Sequence, residues 1–366
     1  MNHPSRPAAL LLMLLLLPAA ASASPADAER VEKAYQLSLD KWALEVRAAT
    51  TTDARTKALS ARPDPAAAAK QMWAVISPDL REAWSVEPTA WFLGISAGLR
   101  TTQPNGSSSR TFTEEINAVY AAIENYHLKN PKLPPVCLAL AASEDPRSLT
   151  LLEKIQTAHA DPKVQGVAAL AIAMRLKFLG DEPALKSKRL TLLRKAIIDS
   201  AEVEINGTSV AKLAEEELYI IRFLSKGQVA PDLQGNDSGP RPMKLSDSAG
   251  KVVVLLFWNS GIQEAARVLQ MASAMEKKFA GKPFAVIGVN NDTTANLREW
   301  QKTPDFVTFP NFSDPQNLLA HEYRIGTWPL AYVLDGTRKI HYAGPPGSFV
   351  EIAAAALLDD AKPAAK

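Results

Sequence analysis

Cysteine is nearly missing from this chain of 366 residues: Cys137 is the only one. One thiol cannot close a disulfide within the chain, which excludes a disulfide framework. Cys137 sits between Pro134-Pro135-Val136 and Leu138-Ala139-Leu140 and reads as a small buried hydrophobe. The alternatives are an intermolecular disulfide or a sensor thiol, and a low-pKa sensor needs a nearby cation that the flanking residues do not supply. Histidine is scarce and scattered (His3, His127, His159, His321, His341), with no spacing that would hold a metal. No glycine-rich phosphate loop occurs, and no cofactor is implied. The net charge is only +2, with acids and bases interspersed, which excludes the basic footprint of a nucleic-acid binder. Beyond the first 23 residues no apolar run reaches the roughly 20 residues of a spanning helix, so no membrane span is expected.

The N-terminus is more specific. Arg6 precedes an apolar run, Ala8 to Leu17, then Pro18 and Ala19-Ala20-Ala21-Ser22-Ala23. A basic start, a short apolar stretch and a small-x-small end are the order of a secretory signal peptide. Residues 1–23 are therefore expected to be cleaved and the mature protein to be exported, to a periplasm. No cysteine stands at the junction, so no lipid anchor is expected.

Residues 24–226 read as all-helical. Periodicity predicts helices over 28–49, 66–76, 78–99, 113–129, 133–143, 147–159, 163–179, 184–200 and 208–224. A looser stretch runs to Pro65, and Thr101 to Arg110 reads as an exposed loop. Ser77-Pro78, Asp145-Pro146 and Asp161-Pro162 each offer an N-cap residue followed by proline. The segment from Val164 to Leu179 is apolar nearly all round, the pattern of a buried helix. Short breaks between helices suggest a solenoid-like array, although no strict repeat is present. Trp42, Trp73, Trp84 and Trp91 read as core packing, with a concave protein-binding face as the alternative.

The composition changes at Lys226-Gly227-Gln228-Val229-Ala230-Pro231. Beyond it strands are expected at 252–257, 284–289, 330–334 and 339–343, and helices at 263–279, 294–301, 315–321 and 349–358. Asp335-Gly336 reads as a hairpin turn. Residues 361–366 read as a disordered tail.

Four motifs in this second part carry a resemblance. They are Val229-Ala230-Pro231-Asp232-Leu233; Leu245-Ser246-Asp247 with Gly250-Lys251-Val252-Val253-Val254; Gly281-Lys282-Pro283-Phe284 through Asn290; and Ile325-Gly326-Thr327-Trp328-Pro329 leading into Tyr332-Val333-Leu334-Asp335. In this order and spacing they resemble the thioredoxin-like superfamily, in its exported redoxin/TlpA branch, over about residues 227–360. The resemblance implies a two-domain α+β chain: an all-α helical array, then a thioredoxin-like α/β domain with a central mixed sheet. It also implies a cis Trp328-Pro329 bond beside a groove that accepts an extended segment of a substrate protein.

The departure from the family is chemical. Active members carry Trp-Cys-x-x-Cys after the first central strand; here Trp258 is followed by Asn259-Ser260-Gly261-Ile262-Gln263-Glu264-Ala265, so Ile262 and Ala265 hold the redox positions. Thiol–disulfide exchange needs a thiolate to attack and a thiol to resolve. A buried acid often precedes the Phe-Trp pair in this family, and that position is Leu256. A peroxidase reading fails for want of a peroxidatic thiol. What remains is a binding groove of Trp258, Gly261, Ile262, Trp328 and Pro329, with an extended peptide or protein partner; alternatively these residues serve packing alone. The leading expectation is an exported, redox-inactive binding or structural module. The alternatives are a thiol–disulfide oxidoreductase that uses a partner's thiols or Cys137, and a hydrolase or ligand-binding protein, for which Glu264, Asp292 and His321 are available although no spacing sets them up as a dyad.

Overall fold

The computed structural model describes residues 23–49, 51–102, 106–262, 264–302 and 309–360. The expected signal segment up to residue 22 and the tail from residue 361 lie outside the described residues.

The helix-rich part begins with α1 (Pro25–Ala48), α2 (Thr52–Ser60), α3 (Pro65–Ile76) and α4 (Val86–Ser96). It continues with α5 (Thr113–Ala122), α6 (Pro134–Ala142) and α7 (Arg147–Ala158). It closes with α8 (Pro162–Leu176), α9 (Pro183–Ser200) and α10 (Val210–Tyr219), which runs on into a wider last turn, Ile220–Leu224. Caps fix several starts. Asp161 Oδ1 accepts from Lys163 N at 2.9 Å ahead of α8, and Asp145 Oδ1 accepts from Arg147 N at 2.9 Å ahead of α7. Ser77 departs from this pattern. Its backbone is already helical (φ −59, ψ −34), so it closes α3 and opens a short 3-10 turn instead of capping a helix. The chain then makes a second 3-10 turn, and α4 begins only at Val86. Two other segments differ from the sequence expectation. Residues 52–60 are helical, and Arg100–Thr102 pairs with Ser108–Arg110 as a short hairpin where a loop was expected. The apolar segment from Val164 forms the expected buried helix: ten of the fifteen residues of α8 are buried, and half of those are Gly or Ala, which lets its neighbours approach closely.

The second part is built on five strands: β1 (Val252–Trp258), β2 (Phe284–Asn290), β3 (Asn311–Ser313), β4 (Leu330–Leu334) and β5 (Ile340–Gly344). Their order is β5-β4-β1-β2-β3, with β1, β2 and β3 parallel and β4 antiparallel to both β1 and β5. All seven residues of β1 are buried, as a central strand covered on both faces requires. Alternation sorts them. Val252, Val254, Leu256 and Trp258 enter one core with α11 (Ala265–Lys278) and α14 (Ser348–Asp360). Val253, Leu255 and Phe257 enter the other, with Tyr323 and Leu224. Leu224 belongs to the wide turn after α10, so the helix-rich part packs directly on this sheet face. α12 (Thr294–Lys302) packs Leu297 into the first core and α13 (Leu318–Glu322) packs Ala320 into the second. Just past α13, Arg324 pairs with Glu216 of α10 and places its guanidinium 3.9 Å from the Tyr219 ring centre. Val229, at the start of the first of the four motifs, forms only an isolated bridge to Lys339.

The β4–β5 connection is a wider turn than Asp335-Gly336 alone. Asp335 Oδ1 accepts from Thr337 N at 2.8 Å, Thr337 Oγ1 at 2.7 Å and Lys339 N at 3.0 Å, and Oδ2 lies 3.0 Å from His341 Nε2. Burial works to raise the Asp335 carboxyl, but the hydrogen bonds from Thr337, His341 and Lys339 outweigh it and hold the pKa down from 3.8 to about 2. A depressed carboxyl stabilises the fold fully above its unfolded pKa, and that contribution is lost as pH falls through its folded value. Asp335→Ala should therefore cost about 1.5–3 kcal/mol near neutral pH. Urea titrations should show the gap between wild type and variant closing as pH falls through the range from 3.8 to about 2. A gap independent of pH would contradict this account of the turn.

Candidate functional site

In a parallel sheet the C-terminal ends of the strands are where sites are built, because loops diverge there over a rigid base. The ends of β1 and β2, with Asn311 at the start of β3, carry a continuous buried polar network. Asn290 ends β2 opposite Trp258 of β1. Its Nδ2 donates to Asp292 Oδ2 at 3.0 Å and to the Trp258 carbonyl at 3.3 Å. Asp292 N donates back to Asn290 Oδ1 at 3.0 Å. Trp258 Nε1 donates to Asn311 Oδ1 at 2.8 Å, and Asn311 Nδ2 donates to the Phe309 carbonyl. This bond crosses β2 at Gly288, where an added Cβ would stand 1.7 Å from Asn311 Oδ1; only glycine fits beneath it.

The network reaches the turn that follows β1. Ser260 donates twice to Asp292: N to Oδ2 and Oγ to Oδ1, each at 2.8 Å. Gly261 N donates to Asn259 Oδ1 at 2.9 Å, and Ala265 N donates to the Ile262 carbonyl at 3.1 Å as α11 begins. One oxygen of Asp292 thus holds the Ser260 amide and the other its hydroxyl, two residues before the first redox position, Ile262. Of the two degenerate positions, Ala265 is buried and Ile262 is half-buried. Gln263 lies outside the described residues.

The Trp328-Pro329 bond is cis. Leu330 pairs with Phe257, so this bond stands beside the end of β1 where the turn starts. The Trp328 and Phe257 rings meet edge to face at 6.3 Å, and both Trp328 and Pro329 are half-buried. Trp258, expected in the groove, is fully buried instead. It lies on the α11/α14 side of the sheet and meets Trp300 edge to face at 6.1 Å, so it offers no surface to a ligand. Of the residues expected to line a groove, Gly261, Ile262, Trp328 and Pro329 keep some exposure. A Cβ at Gly261 would stand 3.7 Å from Leu59 Cδ2, so α2 of the helix-rich part borders this turn.

The remaining sequence candidates do not assemble. Asp292 is buried in the network, whereas Glu264 and His321 are exposed. Cys137 lies in α6 within the helical core, fully buried, where desolvation pushes its thiol up to about 12. Among the described residues no group of three or more His, Cys, Asp or Glu could hold a metal, and no helix is long and apolar enough to cross a membrane.

This sheet and its turn define a thioredoxin-like protein. Residues 226–343 match the model of the AhpC/TSA family. Protein DipZ of Mycobacterium bovis (strain ATCC BAA-935 / AF2122/97) is 29% identical over 154 residues, 37% of this chain and 22% of DipZ. Thioredoxin-like protein YneN of Bacillus subtilis (strain 168) is 28% identical over 116 residues, 31% of this chain and 66% of YneN. Thiol-disulfide oxidoreductase ResA of Geobacillus thermodenitrificans (strain NG80-2) is 22% identical over 157 residues, 43% of this chain and 87% of ResA. The chain thus spans 22% of DipZ and just under two thirds of YneN. Its C-terminal part is thioredoxin-like, of the redoxin/TlpA type, and lacks the Cys-x-x-Cys pair.

If Asp292 holds the turn, its removal orphans the Ser260 amide and takes one of two acceptors from the Asn290 side-chain amide. Asp292→Ala should lower stability by about 1.5–3 kcal/mol, and Ser260→Ala, which spares the backbone bond, by about 0.5–1.5 kcal/mol. Urea unfolding of both variants tests this ordering. Equal costs, or a neutral Asp292→Ala, would contradict it.

Proposed function

We propose that this is an exported, redox-inactive thioredoxin-like protein that binds other proteins. The observation that carries the reading is the turn after β1: Ile262 and Ala265 replace the thiols, and Asp292 holds Ser260 without any sulfur. Fold alone gives no activity, and a site without a nucleophile performs no thiol exchange. The cis Trp328-Pro329 segment beside this turn would accept an extended segment of a partner by backbone pairing, in the manner of strand addition. The helix-rich part, read as a solenoid-like array, would supply a second surface. Export rests on the order Arg6, Ala8 to Leu17, Ala21-Ser22-Ala23. The oxidoreductase alternative, by way of Cys137, is disfavoured by that residue's complete burial in the helical core.

Purified protein should neither reduce insulin disulfides nor consume peroxide above background. Ile262→Cys with Ala265→Cys should create a dithiol at the start of α11, where the helix N-terminus lowers thiolate pKa, and measurable insulin reduction should appear. Wild-type turnover, abolished by thiol alkylation, would overturn the redox-inactive reading.

A further inference from the structure

Away from the sheet, a cleft of about 790 Å³, open to solvent, lies between α1, α4 and α6 of the helix-rich part. That volume is in the range of small-molecule sites, roughly 300–1,000 Å³. Three aromatic rings stand in its wall: Tyr35 of α1, Trp91 of α4 and Trp84 just before α4. Tyr35 and Trp91 meet edge to face at 6.0 Å, which fixes their orientation. Both tryptophans remain half-buried, so part of each ring is left open.

Gly94 makes the cleft unusual. It lies inside α4 with ordinary helical backbone, and nothing stands within 4 Å of where its Cβ would be. Neither a left-handed φ nor a close neighbour calls for glycine there. A helix interior prefers alanine by about 0.5–1 kcal/mol. The missing side chain leaves room on the cleft wall.

The charged groups of the wall are unequal. Glu29, Glu32 and Glu87 line it against one cation, Lys132. Glu29 is paired with Lys33 at 2.5 Å and Glu87 with Lys132 at 2.6 Å. Glu32 has no ion-pair partner among the described residues. Glu32 is exposed at the rim, where partial desolvation and then the neighbouring Glu29 push its carboxyl above the ordinary range. Ring faces and an unanswered carboxyl favour the same ligand chemistry, a cation on an apolar body.

We infer that this cleft is a binding site for a small organic cation, an ammonium carried on an apolar stem, held by the faces of Tyr35, Trp84 and Trp91 and by Glu32. The site is independent of the sheet groove and of its redox state.

The test uses the full-length protein and three probes of one shape: phenethylammonium, the neutral 2-phenylethanol and the anion phenylacetate. Calorimetric titration should show saturable binding of the ammonium, about ten-fold tighter than the alcohol, and none of phenylacetate. Glu32→Gln should bring the ammonium and alcohol affinities within about two-fold of each other, and Gly94→Leu should abolish binding of both by filling the space. Glu32 is on the surface, so its variant keeps the test decisive if Gly94→Leu does not fold. Absence of saturable ammonium binding, equal affinity for ammonium and alcohol in the wild type, or unchanged binding in a folded Gly94→Leu protein would each overturn the inference.

Discussion

The hold of Asp292 on Ser260 is the constraint on which the site depends. Two donors of Ser260, one backbone and one side chain, end on the two oxygens of one buried acid. That acid is in turn positioned by Asn290, and Asn290 by the carbonyl of Trp258. Buried donors and acceptors are costly to leave unpaired, so the turn cannot open without orphaning several at once. The Trp258–Asn311 bond extends the same network to the edge of the sheet and explains why Gly288 must be glycine. The turn keeps its shape with no sulfur in it.

The two halves of the chain are joined through packing as well as through sequence. Leu224, at the end of the helix-rich part, enters the same core as Phe257 and Tyr323. Arg324, beside the sheet, reaches Glu216 and the Tyr219 ring. Glu216 is drawn in both directions: burial works to raise its carboxyl, and Lys212 and Arg324 together bring it below the ordinary range. The bordering of Gly261 by Leu59 places a helix of the first half against the turn of the second. A partner approaching Ile262 would meet α2 as well as Trp328 and Pro329.

Much of the architecture was legible because burial imposes periodicity. The run Val252 to Phe257 reads as a strand and the apolar segment from Val164 as a buried helix, and both form. The three-residue strand Asn311–Ser313 carries no such signal, and among the described side chains of α2 none is buried. The misplacement of Trp258 was avoidable. Alternation puts it on the same face as Leu256 once the strand runs one residue further, and that face is the α11/α14 core. The polar network was not legible. Ser260, Asp292, Asn290 and Asn311 stand on separate turns and strands, and only tertiary pairing brings their short side chains together. The absence of thiols, by contrast, could be read directly.

The central claim, that the turn after β1 is a fixed structural element sustained by Asp292, is tested most directly by amide hydrogen exchange read residue by residue. The account predicts that the Ser260 amide is protected far beyond its intrinsic rate in the native protein, to a degree comparable with the amides of β1. Exchange of Ser260 at the rate of an unstructured amide would contradict it.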